Sequence, residues 1–218
     1  TIAFIIKIFI PAIYNGYSPI LFAIITAIFS SLITIYFTVG MNKKFVIALL
    51  GVTGGVLIAG ILSYIFTYRM RLNGFLDSDL LSCAYLLRKI KIKELIPAGV
   101  IIGSLGAVMD VAVSITSSIN ELHEANPNIS KKSMFKSAIN IGNDIIGTMI
   151  NTLILAYIAS SIFTLLLIYI QANEYPLIRI LNFQDIAVEI MRSICGSIGI
   201  LIAVPLTAYI GTLIYKKK

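Results

Sequence analysis

The chain has 218 residues, 58% of them apolar and 12% charged, with a mean hydropathy of +0.96. Soluble domains carry about a quarter charged residues. This composition therefore excludes an ordinary soluble enzyme, a disordered chain and a secreted disulfide scaffold, and it leaves an integral membrane protein whose +7 charge belongs to lipid-facing loops and not to nucleic acid.

A crossing takes about 20 mostly apolar residues. Thr1 to Ile13 is too short and carries Lys7, so it reads as the tail of a truncated first span. The chain is then a fragment, residues 1–218 forming a single transmembrane domain with an amino-terminal part missing. Asn15 to Pro19 is a turn, Ile20 to Val39 a span, and Gly40 to Lys44 a short basic turn. Phe45 to Tyr68 is the third span. Its Gly51, Gly54, Gly55 and Gly60 let helix backbones approach closely, which predicts a place inside the bundle.

Arg69 to Glu94 mixes Asp77, Asp79, Arg88, Lys89, Lys91 and Lys93 with Leu80, Leu81, Leu86 and Leu87. That pattern predicts an amphipathic helix on the membrane surface at about 75–93. Pro97 opens the fourth span, which ends near Asn120, and Glu121 to Lys136 is a polar loop in which His123 is solvated. Ser137 to Ile170 is too long for one straight crossing, so it tilts, bends or projects beyond the bilayer. A loop from Gln171 to Gln184 leads to the sixth span, Asp185 to Leu213, interrupted by Pro205. The fold class is all-α: a polytopic transmembrane helix bundle of about six spans.

The Lys43-Lys44 turn, the Lys131, Lys132 and Lys136 loop and the Lys216 to Lys218 tail all favour the cytoplasm, and single crossings put them on one side. The same count puts the basic segment Arg69 to Glu94 outside. Either that segment is translocated against the rule, or the third or fourth span does not cross fully; the first reading is preferred.

Ionisable groups inside a membrane cost about 2.5–3.5 kcal/mol each on insertion scales and mark function by default. Helical spacing lines up Gly103, Gly106, Asp110, Ser114, Ser117 and Glu121 on the fourth span. The fifth carries Asn140, Asp144, Gly147, Thr148 and Asn151, and the sixth Glu189, Arg192, Ser193, Gly196 and Gly199. Lipid satisfies none of these stripes, so they are expected to meet each other or enclose water. Asp110 lies roughly 15 Å from the end of its span and Asp144 roughly 10 Å from the start of the next, at the same surface. They can share a depth, and two facing carboxylates hold one proton between them and titrate as a pair. Asp110, Asp144, Asn151, Thr148, Glu189 and Arg192 are the candidate relay residues. Glu189 and Arg192, three residues apart, also suit a structural ion pair. Cys83 and Cys195 form no Cys-x-x-Cys and share no spacing with His123, so neither a metal nor another cofactor is expected. Cys195 reads as a small buried filler.

Several stretches resemble the YibE/F-like bacterial membrane proteins. They are Ile101 to Ile115 (IIGSLGAVMDVAVSI), Glu121 to Asn128 (ELHEANPN) and Asn140 to Tyr157 (NIGNDIIGTMINTLILAY). Glu189-Ile190, Gly196 to Gly199, Pro205 to Thr207, Asn15 to Pro19 and Gly51 to Gly55 are similar too. The family pattern has Arg at position 143 and Gly at 159, where this chain has Asn143 and Ala159, so no cation stands beside Asp144 in sequence. The resemblance implies a fold more than a function, and a further amino-terminal span with an extracytoplasmic segment. The Gly-x-x-x-Asp helix, the polar helix after it and the Gly-rich last helix are also similar to the membrane half of SecD/SecF and resistance–nodulation–division transporters. That likeness implies intramembrane acids that couple proton flow to movement.

The expectation is a multi-pass protein of a bacterial inner membrane with a cytoplasmic carboxyl terminus, acting as a proton- or ion-coupled transporter or its energising subunit. Its partners are the lipid bilayer and another membrane subunit or further copies of itself. The alternatives are an intramembrane aspartyl hydrolase using Asp110 and Asp144, and a non-catalytic scaffold. Against the hydrolase, Ile141-Gly142-Asn143-Asp144 lacks the Gly-x-Gly-Asp spacing.

Overall fold

Apolar side chains on hydrogen-bonded helices are the form a chain of this composition must take in lipid. A computed structural model describes residues 2–73, 90–171 and 176–215, and within them the chain is helical throughout. The short apolar helix α1 covers Ile2–Tyr14, with a π-helical stretch at Ile5–Phe9. Five helices are long and apolar enough to cross a membrane: α2 (Pro19–Val39), α3 (Lys43–Arg69), α4 (Ile92–Ala125), α5 (Lys131–Ser160) and α8 (Gln184–Tyr215). Between α5 and α8 lie α6 (Ile162–Gln171) and the single turn and a half of α7 (Leu177–Leu181). The amphipathic helix expected at about 75–93 falls mostly on residues 74–89, outside the described residues.

Local chemistry sets the boundaries. Ser18 caps α2 by accepting from the Leu21 amide, with Pro19 in the first turn, and Ser130 caps α5 by accepting from the Ser133 amide at 3.1 Å. Gly40, at φ +75°, ends α2 in a conformation that side chains disfavour. Helix α4 runs well beyond the span that the hydropathy pattern predicts. α4 starts five residues before Pro97 and passes through the expected loop to Ala125, carrying His123 with it. At 34 residues it is about 50 Å long, well beyond the roughly 30 Å of hydrocarbon. Pro205 does not interrupt α8, which is continuous for 32 residues. The long apolar stretch after Ser137, expected to tilt, bend or project beyond the bilayer, is two helices instead, broken at Ser161 between α5 and α6.

Helix α3 is central: its most extensive contacts are with α8 and α4, and α2 covers it from the side. The reason is in its glycines. A Cβ on Gly55 would stand 2.9 Å from the Gly199 carbonyl oxygen on α8, and a Cβ on Gly199 would stand 3.0 Å from the Gly55 carbonyl oxygen. Each glycine is therefore the space into which the other helix's backbone fits. Gly60 gives the same room to Ile101 on α4, and Gly51 to Thr207 on α8. The expectation that the third span is buried by its glycines is what the structure shows. Four buried hydroxyls return to their own helices, Thr26, Ser31, Ser104 and Thr116 each donating to the carbonyl four residues back at 2.7–2.8 Å, whereas Thr67 donates to Met191 Sδ on α8 and Ser63 and Thr207 find no partner.

Contacts at the helix ends establish the crossings. The Tyr215 hydroxyl donates to Asn120 Oδ1 at 2.7 Å, the His123 ring lies 5.1 Å from the Tyr215 ring, and Lys43 Nζ stands 5.6 Å above it. The start of α3 and the ends of α4 and α8 thus share one end of the bundle. At the other end Ser18 donates to Glu94, and the Asn73 amide donates to Gln184 Oε1 at 3.4 Å. Both α3 and α4 therefore run the full length of the bundle. Lys43, Lys44 and the Lys131 to Lys136 segment flank the end at which α8 finishes, and Asn73 and Ile90 lie at the other.

The crossing at Gly55 is testable against its neighbour. Gly55→Ala is expected to cost about 1–3 kcal/mol, because the new methyl meets backbone that cannot turn aside. A methyl at Gly54 meets only the flexible tip of Leu206, so Gly54→Ala should stay close to wild type. Thermal unfolding of the purified variants in detergent would show the order, and equal stability for both would remove the crossing's special role.

Candidate functional site

The polar residues singled out in sequence fall into two groups that the structure treats differently. On α4 the buried face is made by Ile101, Leu105, Val108, Ala112, Ile115 and Ile119. At 100° per residue, Gly103, Gly106, Asp110, Ser114 and Glu121 lie on the opposite side of the helix, and all five are exposed. On α5 the buried positions are Met134, Ala138, Gly142 and Leu153. Gly142 seats against Val204 of α8 and Ile115 of α4. Asn140, Asp144, Gly147, Thr148 and Asn151 lie away from that contact and are exposed as well.

The three helices do pack together, but the stripes of α4 and α5 are not their packing surfaces. That corrects the expectation that the three stripes meet. The physical reason is competition for contact area. The apolar sides of α4 and α5 fill the grooves beside α3 and α8, and a helix so seated turns its polar side outward. α5 is the extreme case: 11% of its most apolar stretch is buried, against 56% for α4. Among the described residues, Asp110, Asp144 and Asn151 make no hydrogen bond or ion pair within the chain. Thr148 donates to the Ile145 carbonyl at 2.8 Å, and Thr152 to the Thr148 carbonyl at 2.8 Å.

Measured along the helices, Asp110 stands 15 residues from the end of α4 and Asp144 13 residues from the start of α5. These are about 22 Å and about 20 Å from the same end of the bundle. Counted from those helix ends the two positions differ by about 3 Å, and both stand further from the ends than the sequence spacing gives, because both helices extend further at that end.

The second group is internal. Arg192 Nη1 donates to Glu189 Oε1 at 2.7 Å, with about a quarter of each side chain exposed. Gly99 on α4 leaves room for this guanidinium: a Cβ there would stand 3.6 Å from Arg192 Nη2. One turn further along, Tyr157 of α5 reaches between two glycines. A Cβ on Gly103 would lie 2.9 Å from its hydroxyl oxygen, and one on Gly196 of α8 would lie 3.6 Å away. Tyr157 Oη, Glu189 Oε2, Arg192 Nε and Ser197 Oγ are all buried without a hydrogen-bond partner. A cavity of about 280 Å³ runs between α5, α6 and α8; Tyr157 and Glu189 reach its wall, which is otherwise mostly apolar through Ile154, Ile158, Leu165 and Ile190.

Tyr157 is the member that reading for charge passes over. The signal for it was in the glycines, Gly103 on α4 and Gly196 on α8, which leave a slot that something large must fill. Cys195 is fully buried, as its reading as a filler has it. Among the described residues no three of His, Cys, Asp and Glu come together as a metal ion would require.

With this arrangement in view, the chain matches one protein family, described as YibE/F-like protein, over residues 1–217. No curated protein and no solved structure matches it.

The inner pair is open to a double-mutant cycle. Glu189→Gln leaves the Arg192 charge short of its counter-ion and is expected to cost about 1–2 kcal/mol, reduced from the fully buried case by partial exposure. Adding Arg192→Gln should recover part of that loss. Thermal unfolding in detergent reads both steps, and additive losses would mean that the two side chains do not act as a pair.

Proposed function

The chain belongs to the YibE/F-like family, and we propose that this polytopic membrane protein is a proton- or ion-coupled transporter of a bacterial inner membrane, or the energising subunit of one. The observation that carries the reading is the position of Asp110 and Asp144. Two carboxyl groups stand at similar depth, deep within apolar helices, on faces that the chain itself leaves polar and uncovered. The charged and neutral forms of such a group differ by several kcal/mol in the cost of leaving water. A proton arriving or departing therefore changes which helix packing is favoured, and that is the elementary step of coupling.

In this reading Asp110 carries the proton and Asp144 is its coupled partner. Thr148 and Asn151 are neutral positions that orient water along α5. The Glu189–Arg192 pair, with Tyr157, continues the polar groups from the middle of the bundle towards the end away from the lysines. The path so formed is a series of groups at several depths, which suits transport better than a single hydrolytic centre.

Proton flux in proteoliposomes tests this directly. Asp110→Asn keeps size and hydrogen bonding but has no titratable proton, so it should abolish coupled flux at normal expression and insertion, and Asp144→Asn should reduce it strongly. Flux unchanged in Asp110→Asn would reduce Asp110 to a packing residue and return the protein to the scaffold reading.

Sidedness follows from the basic segments that share one end of the bundle. The positive-inside rule places that end, and with it the carboxyl terminus, in the cytoplasm. Green fluorescent protein fused after Lys218 should then fluoresce, and alkaline phosphatase fused there should be inactive. The reverse pattern would invert the orientation.

A further inference from the structure

We propose that the uncovered polar face of α4 and α5 is the docking surface for a second copy of this chain within the membrane. Two observations converge on an occupant. The first is the glycines. A Cβ placed on any other helical glycine among the described residues meets an atom within 4 Å, whereas at Gly106 and Gly147 it meets nothing. Packing within one chain therefore accounts for the other helical glycines and leaves these two without a neighbour. Small residues at membrane depth are what the close approach of another helix uses. The second is hydrogen bonding. Asp110, Ser114, Asn140, Asp144 and Asn151 are exposed on the same two helices, and hydrocarbon offers them neither donors nor acceptors.

The identity of the occupant follows from the chemistry of the face. Its mid-depth residues include carboxyl groups but no cation, so a partner must bring donors. The face also carries its own donors in Asn140, Asn151 and Ser114, and these accept as well as donate. Such a surface is complementary to itself, as a two-fold interface requires. Depth agrees. Gly106 lies 19 residues from the end of α4 and Gly147 16 residues from the start of α5, about 28 Å and about 24 Å from one end of the bundle. A two-fold axis along the membrane normal preserves depth. It sets glycine level opposite glycine level, and the Asp110 and Asp144 level opposite its own copy. The partner thus brings its own carboxyl groups to this level in place of lipid, where carboxyl groups that meet share a proton, and its Asn140, Ser114 and Asn151 to the levels on either side.

The test reads assembly and not transport, so it stands or falls separately from the function proposed above. The full chain is reconstituted in lipid vesicles, and its stoichiometry is counted by single-molecule photobleaching across a range of dilutions. Wild type should be dimeric. Gly106→Leu and Gly147→Leu have open space around them within the protomer, so helicity should be retained while the dimer weakens by at least tenfold. With Cys83 and Cys195 replaced by Ser, Gly106→Cys should give an oxidative cross-link between copies, whereas Phe37→Cys, on the outer side of α2, should not. A monomeric wild type at every dilution would overturn the proposal. So would a dimer indifferent to both leucines, or cross-linking at residue 37 with none at residue 106.

Discussion

The approach of α3 to α8 at Gly55 and Gly199 is the constraint from which the rest of the architecture follows. Each glycine leaves open the space in which the other helix's carbonyl oxygen lies, within 3.0 Å of where a Cβ would stand, so the two helices meet through backbone at this point. In lipid no hydrophobic force drives helices together, and packing at short range has to do it. Once this pair is closed, its flanks form grooves lined by Val52, Val56, Ala203 and Val204, all buried. α4 fills one side with Ile101, Leu105 and Val108, and α5 lies against α8 and α4 through Gly142 and Leu153. The outward direction of Asp110 and Asp144 is the far side of that seating.

The bundle handles its polar groups in three ways, graded by how much each costs to leave bare. Hydroxyls are the cheapest, and Thr26, Ser31, Ser104 and Thr116 are satisfied by the carbonyl one turn back, at no cost to the packing of other helices. The Arg192 charge is bound to Glu189 one turn away and seated against Gly99, which keeps the pair inside the three-helix contact. The mid-depth carboxyl groups of α4 and α5 receive neither treatment. A carboxyl group needs donors, and although Ser114 stands one turn from Asp110, and Asn140 and Thr148 one turn either side of Asp144, none of them donates to it.

Much of the fold could be read from hydropathy and glycine spacing, because both act through the chain's own backbone. The five long helices, the burial of α3, the excess length of the stretch after Ser137 and the similar depth of Asp110 and Asp144 all belong to that class. Helix ends were harder to place. Residues near Lys93 read as the end of a surface helix and those near His123 as loop, yet α4 continues through both, since hydropathy reports the bilayer's thickness and a helix can outrun it. The direction of the stripes was harder still. Periodicity says that Gly106, Asp110 and Ser114 share a face, but what that face meets depends on how the apolar sides of four other helices are shared out. Tyr157 was hidden for a related reason: its slot is built by Gly103 and Gly196 from two other helices, and no local pattern around position 157 announces it.

An inner node and an outer face at different depths have a consequence for any motion of this bundle. The α3–α8 crossing, locked by backbone, has little freedom to slide, because interdigitated backbones are bistable at best and not continuously deformable. α5 is bound more lightly, touching α8 and α4 along a narrow strip while most of its surface is free. It also carries both kinds of polar group: Asp144 on its open side, and Tyr157 in the glycine slot shared by α4 and α8. A change of charge at Asp144 alters the free energy of α5's open face. Tyr157 stands about 20 Å further along the same helix, in its slot against α4 and α8. The lightly held helix is therefore the element that carries both polar groups of this protein.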